Sequence, residues 1–315
     1  MWYSRGFKEP FGLAPILSGR LRAPCIRIDM RSTLRPKILR MKNEQTVATA
    51  VDGRMDLFGH DGQAKMYRDF RPTYPARLVE SIVSSIPAES RGLYVDVACG
   101  SGQLTEAVAP AFKASKGIDR SFEQLSHARI NTGVNLEYVA GSALELPLDS
   151  GSVDLMTVAQ GLHWLLPYDA FFKEVNRVLK PGGVFCAAVY AFPQLVHEGA
   201  NAHVQRFYKE TLGSTLSPGQ PGCWWDTNRP TIDCYYADIP FPYETKLTHF
   251  PERIRMSVSH YFNYLRTLSA YRTLLRSGLP DPLVAVEAAV RESVHNEEIE
   301  VLIPFFTVSF AKPRK

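Results

Sequence analysis

An α/β domain with a mostly parallel sheet is the fold this 315-residue sequence predicts. Three observations predict it. Short apolar runs alternate with stretches of helical spacing from about residue 75 onward, the first run empties into a glycine-rich turn, and a helix stops at Lys180-Pro181-Gly182-Gly183. Strands that alternate with helices in this way build βαβ units, whose strands lie parallel.

Taken in order, Leu93–Val97 reads as the first strand, and Gln103–Phe112 places Leu104, Val108 and Phe112 on one helical face. A second strand ends at Gly117–Asp119, and Ser121 followed by Glu123 opens the next helix. Leu136–Ala140, Val153–Ala159 and Val184–Tyr190 read as the third, fourth and fifth strands. Between the last two, Tyr168–Leu179 carries Phe171, Phe172, Val175, Val178 and Leu179 at helical spacing until the Lys-Pro-Gly-Gly turn ends it. After Tyr190 the rhythm changes: residues 191–235 are polar and aromatic, with a Pro218–Gly222 stretch followed by Trp224 and Trp225. Phe241–Phe250 reads as a late strand, Arg253–Arg276 as one long helix and Phe305–Ala311 as a final strand on the sheet's edge. The expectation is one domain over 51–315, with cap insertions between late strands at about 191–235 and 252–298.

Composition narrows the function classes. A chain this long buries a core without metal or disulfide staples, and no stretch has the 18 or so apolar residues of a membrane span. Five cysteines (Cys25, Cys99, Cys186, Cys223 and Cys234) are widely and irregularly spaced with no CxxC pair, so no metal site or disulfide framework is indicated. That usage suits a reducing, cytoplasmic compartment. Residues 1–40 hold nine of the 36 basic residues and two of the 32 acidic ones, which leaves 27 basic against 30 acidic in the body. The body is mildly acidic, so its charge gives no reason to expect a nucleic-acid partner. Residues 1–50 read as a disordered basic leader. Its Arg-rich composition suits a mitochondrial transit segment, although four prolines interrupt a targeting helix; the alternative is a dispensable extension ahead of Met41.

The chemistry concentrates in Tyr94-Val95-Asp96-Val97-Ala98-Cys99-Gly100-Ser101-Gly102. A strand delivers this loop to a helix N-terminus, where free N–H groups favour an anionic ligand group and glycines allow close approach. A dinucleotide fingerprint counted from Gly100 needs a third glycine at position 105, which is Thr105, so an NAD-dependent oxidoreductase is the weaker reading. Asp96, ending the first strand, suits an ammonium group. Asp119, ending the second, suits a ribose diol. An anion loop, an amine acid and a ribose acid together match S-adenosylmethionine.

These segments resemble the class I S-adenosylmethionine-dependent methyltransferases of the small-molecule type 11 group, over about residues 58–190. The loop is similar to that family's Asp-x-Gly-x-Gly-x-Gly, with Ala98 at the first glycine, a conservative exchange if its φ is negative. Gly141-Ser142-Ala143-Leu144-Glu145-Leu146-Pro147 resembles the adenine segment, with Ser142 where Asp is usual. Tyr67-Arg68-Asp69-Phe70-Arg71-Pro72-Thr73-Tyr74-Pro75 and Gln160-Gly161-Leu162-His163-Trp164 resemble segments of eukaryotic methyltransferases related to trans-aconitate methyltransferase, and Tyr264–Tyr271 resembles their cap helix with Leu268 in place of Trp. The resemblance implies a Rossmann-like seven-stranded sheet with helices on both faces and its last strand antiparallel, and S-adenosyl-L-methionine as cofactor. It implies cofactor contacts at Tyr67, Arg71, Asp96, Ala98, Gly100, Gly102, Asp119, Ser142, Ala143 and Gln160. The acceptor is expected to be a small molecule, with a carboxylic acid in view.

Single residues carry two readings each. Tyr67, Tyr74 and Trp164 offer aromatic faces to a sulfonium, or simply pack. Arg71 pairs with the methionyl carboxylate or forms a surface ion pair. His163 removes a proton from a hydroxyl or amine acceptor, or lines the pocket and orients an acceptor that is already ionised. In the second case Arg266 is the expected neutralising cation, so His163, Trp164 and Arg266 form the expected acceptor set. A non-catalytic S-adenosylmethionine-binding protein is the rival reading, motivated by Ala98, Ser142 and Leu268.

Overall fold

Apolar runs become central strands here because both of their faces are covered. The computed structural model describes residues 66, 69–128, 135–212, 236, 239–276, 278 and 280–314; the basic leader, Tyr67, Trp224 and Trp225 lie outside the described residues. A first helix, α1 (Ala76–Ser84), follows Pro75 and buries Leu78 and Ile82. The parallel core then runs β1 (Leu93–Val97), α2 (Gln103–Val108), β2 (Ala114–Asp119), α3 (Phe122–Ser126), β3 (Leu136–Ala140), β4 (Val153–Ala159), α4 (Tyr168–Val178) and β5 (Leu179–Tyr190). Ser121 caps α3 by accepting a hydrogen bond from the Gln124 amide, as its position before Glu123 predicts. The later elements are β6 (Gln194–Leu195), α5 (Glu198–Arg206), β7 (Lys246–Ser257), α6 (Val258–Arg266), α7 (Ser269–Arg276), α8 (Leu283–Val294) and β8 (Glu298–Ala311).

The sheet order is β3-β2-β1-β4-β5-β8, parallel through β5 and antiparallel from β5 to β8. Alternating side chains enter two packed layers. Tyr94, Leu155, Cys186 and Ala188 face α1 and α2, while Val95, Met156, Phe185 and Ala187 face Phe171, Phe172 and Val175 of α4. This is a Rossmann-like α/β sheet with helices on both faces.

Among the described residues, eight strands stand where seven were expected. The additional one, β6, continues the line of β5: Tyr190 lies opposite Phe305 and Gln194 opposite Leu302, so four residues on one strand span three on the other. Pro193, which has no N–H to donate, sits in that slip. The final strand is also not an edge. β8 is paired on both sides, with Ile303 and Phe306 fully buried, and β7 forms the edge with a largely exposed face.

The long helix expected at Arg253–Arg276 is a strand followed by two helices. Arg253–Ser257 is held in β7 by its ladder to β8, as far as Ser257 opposite Glu298. Ser257 Oγ then caps α6 by accepting from the His260 amide at 3.0 Å. At Thr267 the hydroxyl turns back onto the Tyr264 carbonyl at 2.6 Å, and the helix breaks before α7. The helical segment between β7 and β8 accordingly begins at Val258, six residues after the expected start at 252. The Lys180–Gly183 turn lies inside β5 as an irregularity: Leu179 pairs with Val153, and the ladder shifts before Leu155 meets Val184. Left-handed Gly182 (φ +80°) allows it.

Candidate functional site

The carboxyl ends of β1, β2 and β4 meet where the strand order reverses, the position at which open α/β sheets bind ligands. Ala98, Gly100 and Gly102 all have positive φ, at +54°, +58° and +84°. Positive-φ residues at alternate positions turn neighbouring backbone N–H groups toward one concavity, which suits an anionic group. Gly102 is further constrained, because a Cβ there would lie 2.1 Å from the Tyr138 hydroxyl. The same ring crosses Gly117, where a Cβ would lie 2.5 Å from Tyr138 Cδ1.

Asp119 ties β2 to this loop. Its Oδ2 accepts from the Gly100 amide and its Oδ1 from the Ser121 amide, each at 2.8 Å. The side chain remains partly accessible, with further acceptor capacity on each oxygen. Asp96 is placed differently from the sequence expectation. It is fully buried, with Oδ2 accepting from Thr105 and Oδ1 from Thr157, both at 2.6 Å, instead of opening toward an ammonium group. Burial raises its carboxyl to about 6, the two threonine hydroxyls oppose that shift, and the Asp119 charge adds to it. The two acids share one end of the sheet, since Asp96 is in register with Gly117 and the Cys99 amide reaches the Ile118 carbonyl.

Ala98 departs from the condition under which its exchange for glycine is conservative: φ is positive. A left-handed alanine costs about 1–2 kcal/mol. Gln160, at the end of β4, is left-handed as well (φ +54°), with its amide on the Ala188 carbonyl and Nε2 on the Tyr190 carbonyl. Between them a Cβ on Gly161 would approach the Ala98 methyl to 3.1 Å, so Gly161 makes room for it. Strained non-glycine backbone of this kind concentrates at functional sites. Ala98→Gly is expected to stabilise the protein by about 0.5–1 kcal/mol, visible as a rise in melting temperature of about 1–4 °C. A fall would mean that the methyl's packing outweighs the strain.

The remaining candidates fall into two groups. Ser142 is exposed and bonds the Leu144 amide within its own turn, while Ala143 packs on the layer that contains Leu146. His163 and Trp164 lie on a short 3-10 turn beyond β4, with rings 4.8 Å apart. Burial, reinforced by the Arg71 charge, pushes His163 down to about 3. Arg71 makes its described contacts away from the glycine loop: its guanidinium donates to Tyr190 Oη and the Thr267 carbonyl, both at 3.2 Å, and lies 5.4 Å from the Tyr264 ring centre. It lines a cleft of about 260 Å³ with Phe70, Met256, Tyr261, Tyr264 and Ile303. Arg266, the cation expected in such a cleft, is not among its lining residues and pairs with Glu287 at 2.9 Å.

Sequence reasoning missed Thr105, Thr157, Ser101 and Gln124. Ser101 Oγ and Gln124 Oε1 are buried without a hydrogen-bond partner among the described residues, and a Cβ on Gly100 would lie 3.7 Å from that Gln124 oxygen. Unpartnered buried polar atoms beside a glycine cradle fit a polar ligand. Gln124 was legible as the residue whose amide the Ser121 cap receives. Thr157, inside an apolar run, carried no local signal.

Comparison with known proteins agrees with this geometry. A sequence profile described as a methyltransferase domain matches residues 95–187. A Dictyostelium discoideum protein named as a methyltransferase is 31% identical over 255 residues, covering 78% of this chain and 91% of its own length. A Saccharomyces cerevisiae protein named as an S-adenosylmethionine-dependent methyltransferase is 29% identical over 163 residues, covering 49% of this chain and 55% of its own. Among solved structures, one described as a type II methyltransferase from Anaeromyxobacter dehalogenans aligns with a TM-score of 0.66 at 26% identity, over 78% of this chain and all of that one.

Proposed function

Because the chain belongs to the class I S-adenosylmethionine-dependent methyltransferases, we propose that its acceptor is a small molecule bearing a carboxylate, methylated by in-line displacement. S-adenosyl-L-methionine is the cofactor, and when bound it supplies an electrophilic methyl group on a sulfonium whose thioether leaves without needing a proton. The residues around the loop suit it. In this reading Gly100 and Gly102 admit the methionyl portion, Asp119 receives the ribose hydroxyls, and Ser142 and Ala143 border the adenine. The protein's contribution is then chiefly alignment, which can lower a barrier by roughly 7–11 kcal/mol.

The observation that carries the acceptor class is Arg71 in its cleft. Its guanidinium is held in orientation by Tyr190 and Thr267, in a cleft whose lining is mostly apolar and aromatic but also includes Asp69, Thr73 and His260. A compact pocket with one oriented cation suits a small anion with an apolar body. Arg71 thus takes over the role the sequence suggested for Arg266, and His163 lines and orients.

His163 as a neutral imidazole has a checkable consequence. Its protonation lies far below neutrality, so the kcat/KM profile between pH 6 and 8 should keep the same shape in His163→Asn, although the rate falls. An acid limb in that range that disappears in the variant would restore His163 as a base.

The acceptor reading is tested by incubating the protein and radiolabelled S-adenosylmethionine with a low-molecular-weight metabolite extract. Label should enter a small anion and be released as methanol by mild alkali, as from a methyl ester. Arg71→Ala should lower acceptor kcat/KM by about 10- to 150-fold, the worth of a charged hydrogen bond, while S-adenosylhomocysteine affinity holds. Alkali-stable product, or label in macromolecules alone, would overturn the carboxylate reading.

A further inference from the structure

Beneath the glycine loop lies a buried hydrogen-bonded chain that alignment of the cofactor does not require. Tyr94 Oη, on β1, meets Thr157 Oγ1 on β4 at 2.8 Å; Thr157 donates to Asp96 Oδ1, and Thr105, in the first turn of α2, donates to Asp96 Oδ2. With Asp96 ionised, Thr157 spends its single hydrogen on the carboxylate, so the Tyr94 hydroxyl must donate to Thr157. Tyr94, Asp96, Thr105 and Thr157 are all fully buried. Among the described residues no cation pairs with Asp96, and both of its hydrogen bonds come from neutral hydroxyls.

Among the described residues, the titratable groups that bear on Asp96 are all acids. They are Tyr94 on its own strand, Cys99 in the loop, Asp119 at the end of β2 and Tyr138 on β3. Burial raises Tyr94, Cys99 and Tyr138, so these three stay neutral near pH 7, and Asp119 opposes ionisation of its neighbour. A buried carboxylate with no counter-ion favours its neutral form until a positive charge arrives. In the reading given above, the loop that begins two residues after Asp96 admits the methionyl portion, which in S-adenosylmethionine carries an ammonium and a sulfonium beside its carboxylate.

We propose that the Tyr94–Thr157–Asp96–Thr105 chain makes cofactor uptake proton-linked, Asp96 releasing its proton to solvent when the cofactor's ammonium and sulfonium seat above it, so that the doubly positive methionyl portion of the cofactor is held in preference to the thioether product, which keeps the ammonium alone. Thr157 and Thr105 are positioning residues in this device: they set how readily Asp96 ionises and touch no ligand. Methyl transfer removes the sulfonium charge, so the same carboxylate that favours uptake of the cofactor favours departure of the product. The inference rests on the cofactor assignment.

The experiment is calorimetric titration of S-adenosylmethionine and of S-adenosylhomocysteine into the full chain from pH 7 to pH 5. S-adenosylmethionine affinity should fall about tenfold across that range, and S-adenosylhomocysteine affinity by less than about threefold, since Asp96 in the free protein titrates near 6. At pH 6, repetition in two buffers of different ionisation enthalpy should show uptake by the buffer of about half a proton per S-adenosylmethionine bound. Thr157→Val removes one donor to the carboxylate and should move the midpoint to higher pH, whereas Asp96→Asn should abolish the pH dependence of the affinity ratio. A ratio that is independent of pH in the unaltered protein, or a slope that survives in Asp96→Asn, would overturn the device and leave the cofactor assignment standing. Failure of both ligands to bind at pH 7 would overturn the assignment itself.

Discussion

Gly102→Ala is expected to lose about 2–5 kcal/mol of stability together with the cofactor site. Two costs combine. A left-handed alanine at φ +84° costs about 1–2 kcal/mol, and its methyl would press on the Tyr138 hydroxyl and Cζ at 2.1 and 2.8 Å, an overpacking worth about 1–3 kcal/mol. The melting temperature should drop by about 4–20 °C. Because two separate causes are involved, a second substitution can distinguish them. In a Tyr138→Phe background the hydroxyl clash disappears, so part of the loss should be recovered, while the backbone cost and the weakened S-adenosylhomocysteine binding remain. Full recovery would mean that the left-handed backbone contributes nothing.

Asp119→Ala should weaken S-adenosylhomocysteine binding by about 10- to 150-fold, corresponding to about 1.5–3 kcal/mol for hydrogen bonds to a charged group. The structure adds a reason the sequence did not contain. Asp119 also receives the Gly100 and Ser121 amides, so its removal leaves two loop donors unmatched and loosens the cradle as well as the ribose contact. Asp119→Asn retains one carbonyl acceptor and should fall between the two. Unchanged affinity in a folded Asp119→Ala protein would remove this residue from the site.

What the sequence made legible follows from burial. Leu93–Val97 and Val153–Ala159 have the bounds their apolar runs suggest, because parallel strands in the middle of a sheet are covered on both sides and punctuated by loops; Leu136–Ala140 also has the suggested bounds, although it is an edge strand with no fully buried residue. The glycine loop and Asp119 were legible because their chemistry depends on chain-local spacing. The late elements were not. β7 is half exposed and carries Arg253 and Arg255, so its outer residues read as the start of a helix when only tertiary pairing with β8 keeps them extended. The left-handed backbone of Ala98 is set by the turn, and alanine does not announce it. Thr157 acquires its partner only when β4 is laid beside β1, with Asp96 opposite Thr157 in register. The partners of Arg266 and Arg71 were illegible for a similar reason. Glu287, 21 positions along the chain, neutralises the first, and the second reaches Thr267 across 196 positions. No local pattern encodes either distance.

We claim the carboxyl ends of β1, β2 and β4 as an S-adenosylmethionine site with Asp119 at its centre. The most direct test is thermal unfolding with S-adenosylhomocysteine and with NADH, run side by side on the unaltered protein and on Asp119→Ala. At a ligand concentration of about 100 Kd, S-adenosylhomocysteine should stabilise the unaltered protein by about 2.7 kcal/mol, a rise of about 5–10 °C for a domain of this size. The same concentration should give Asp119→Ala only a small rise, and NADH should move neither protein. A rise with NADH alone, or an equal rise with S-adenosylhomocysteine in both proteins, would contradict the claim.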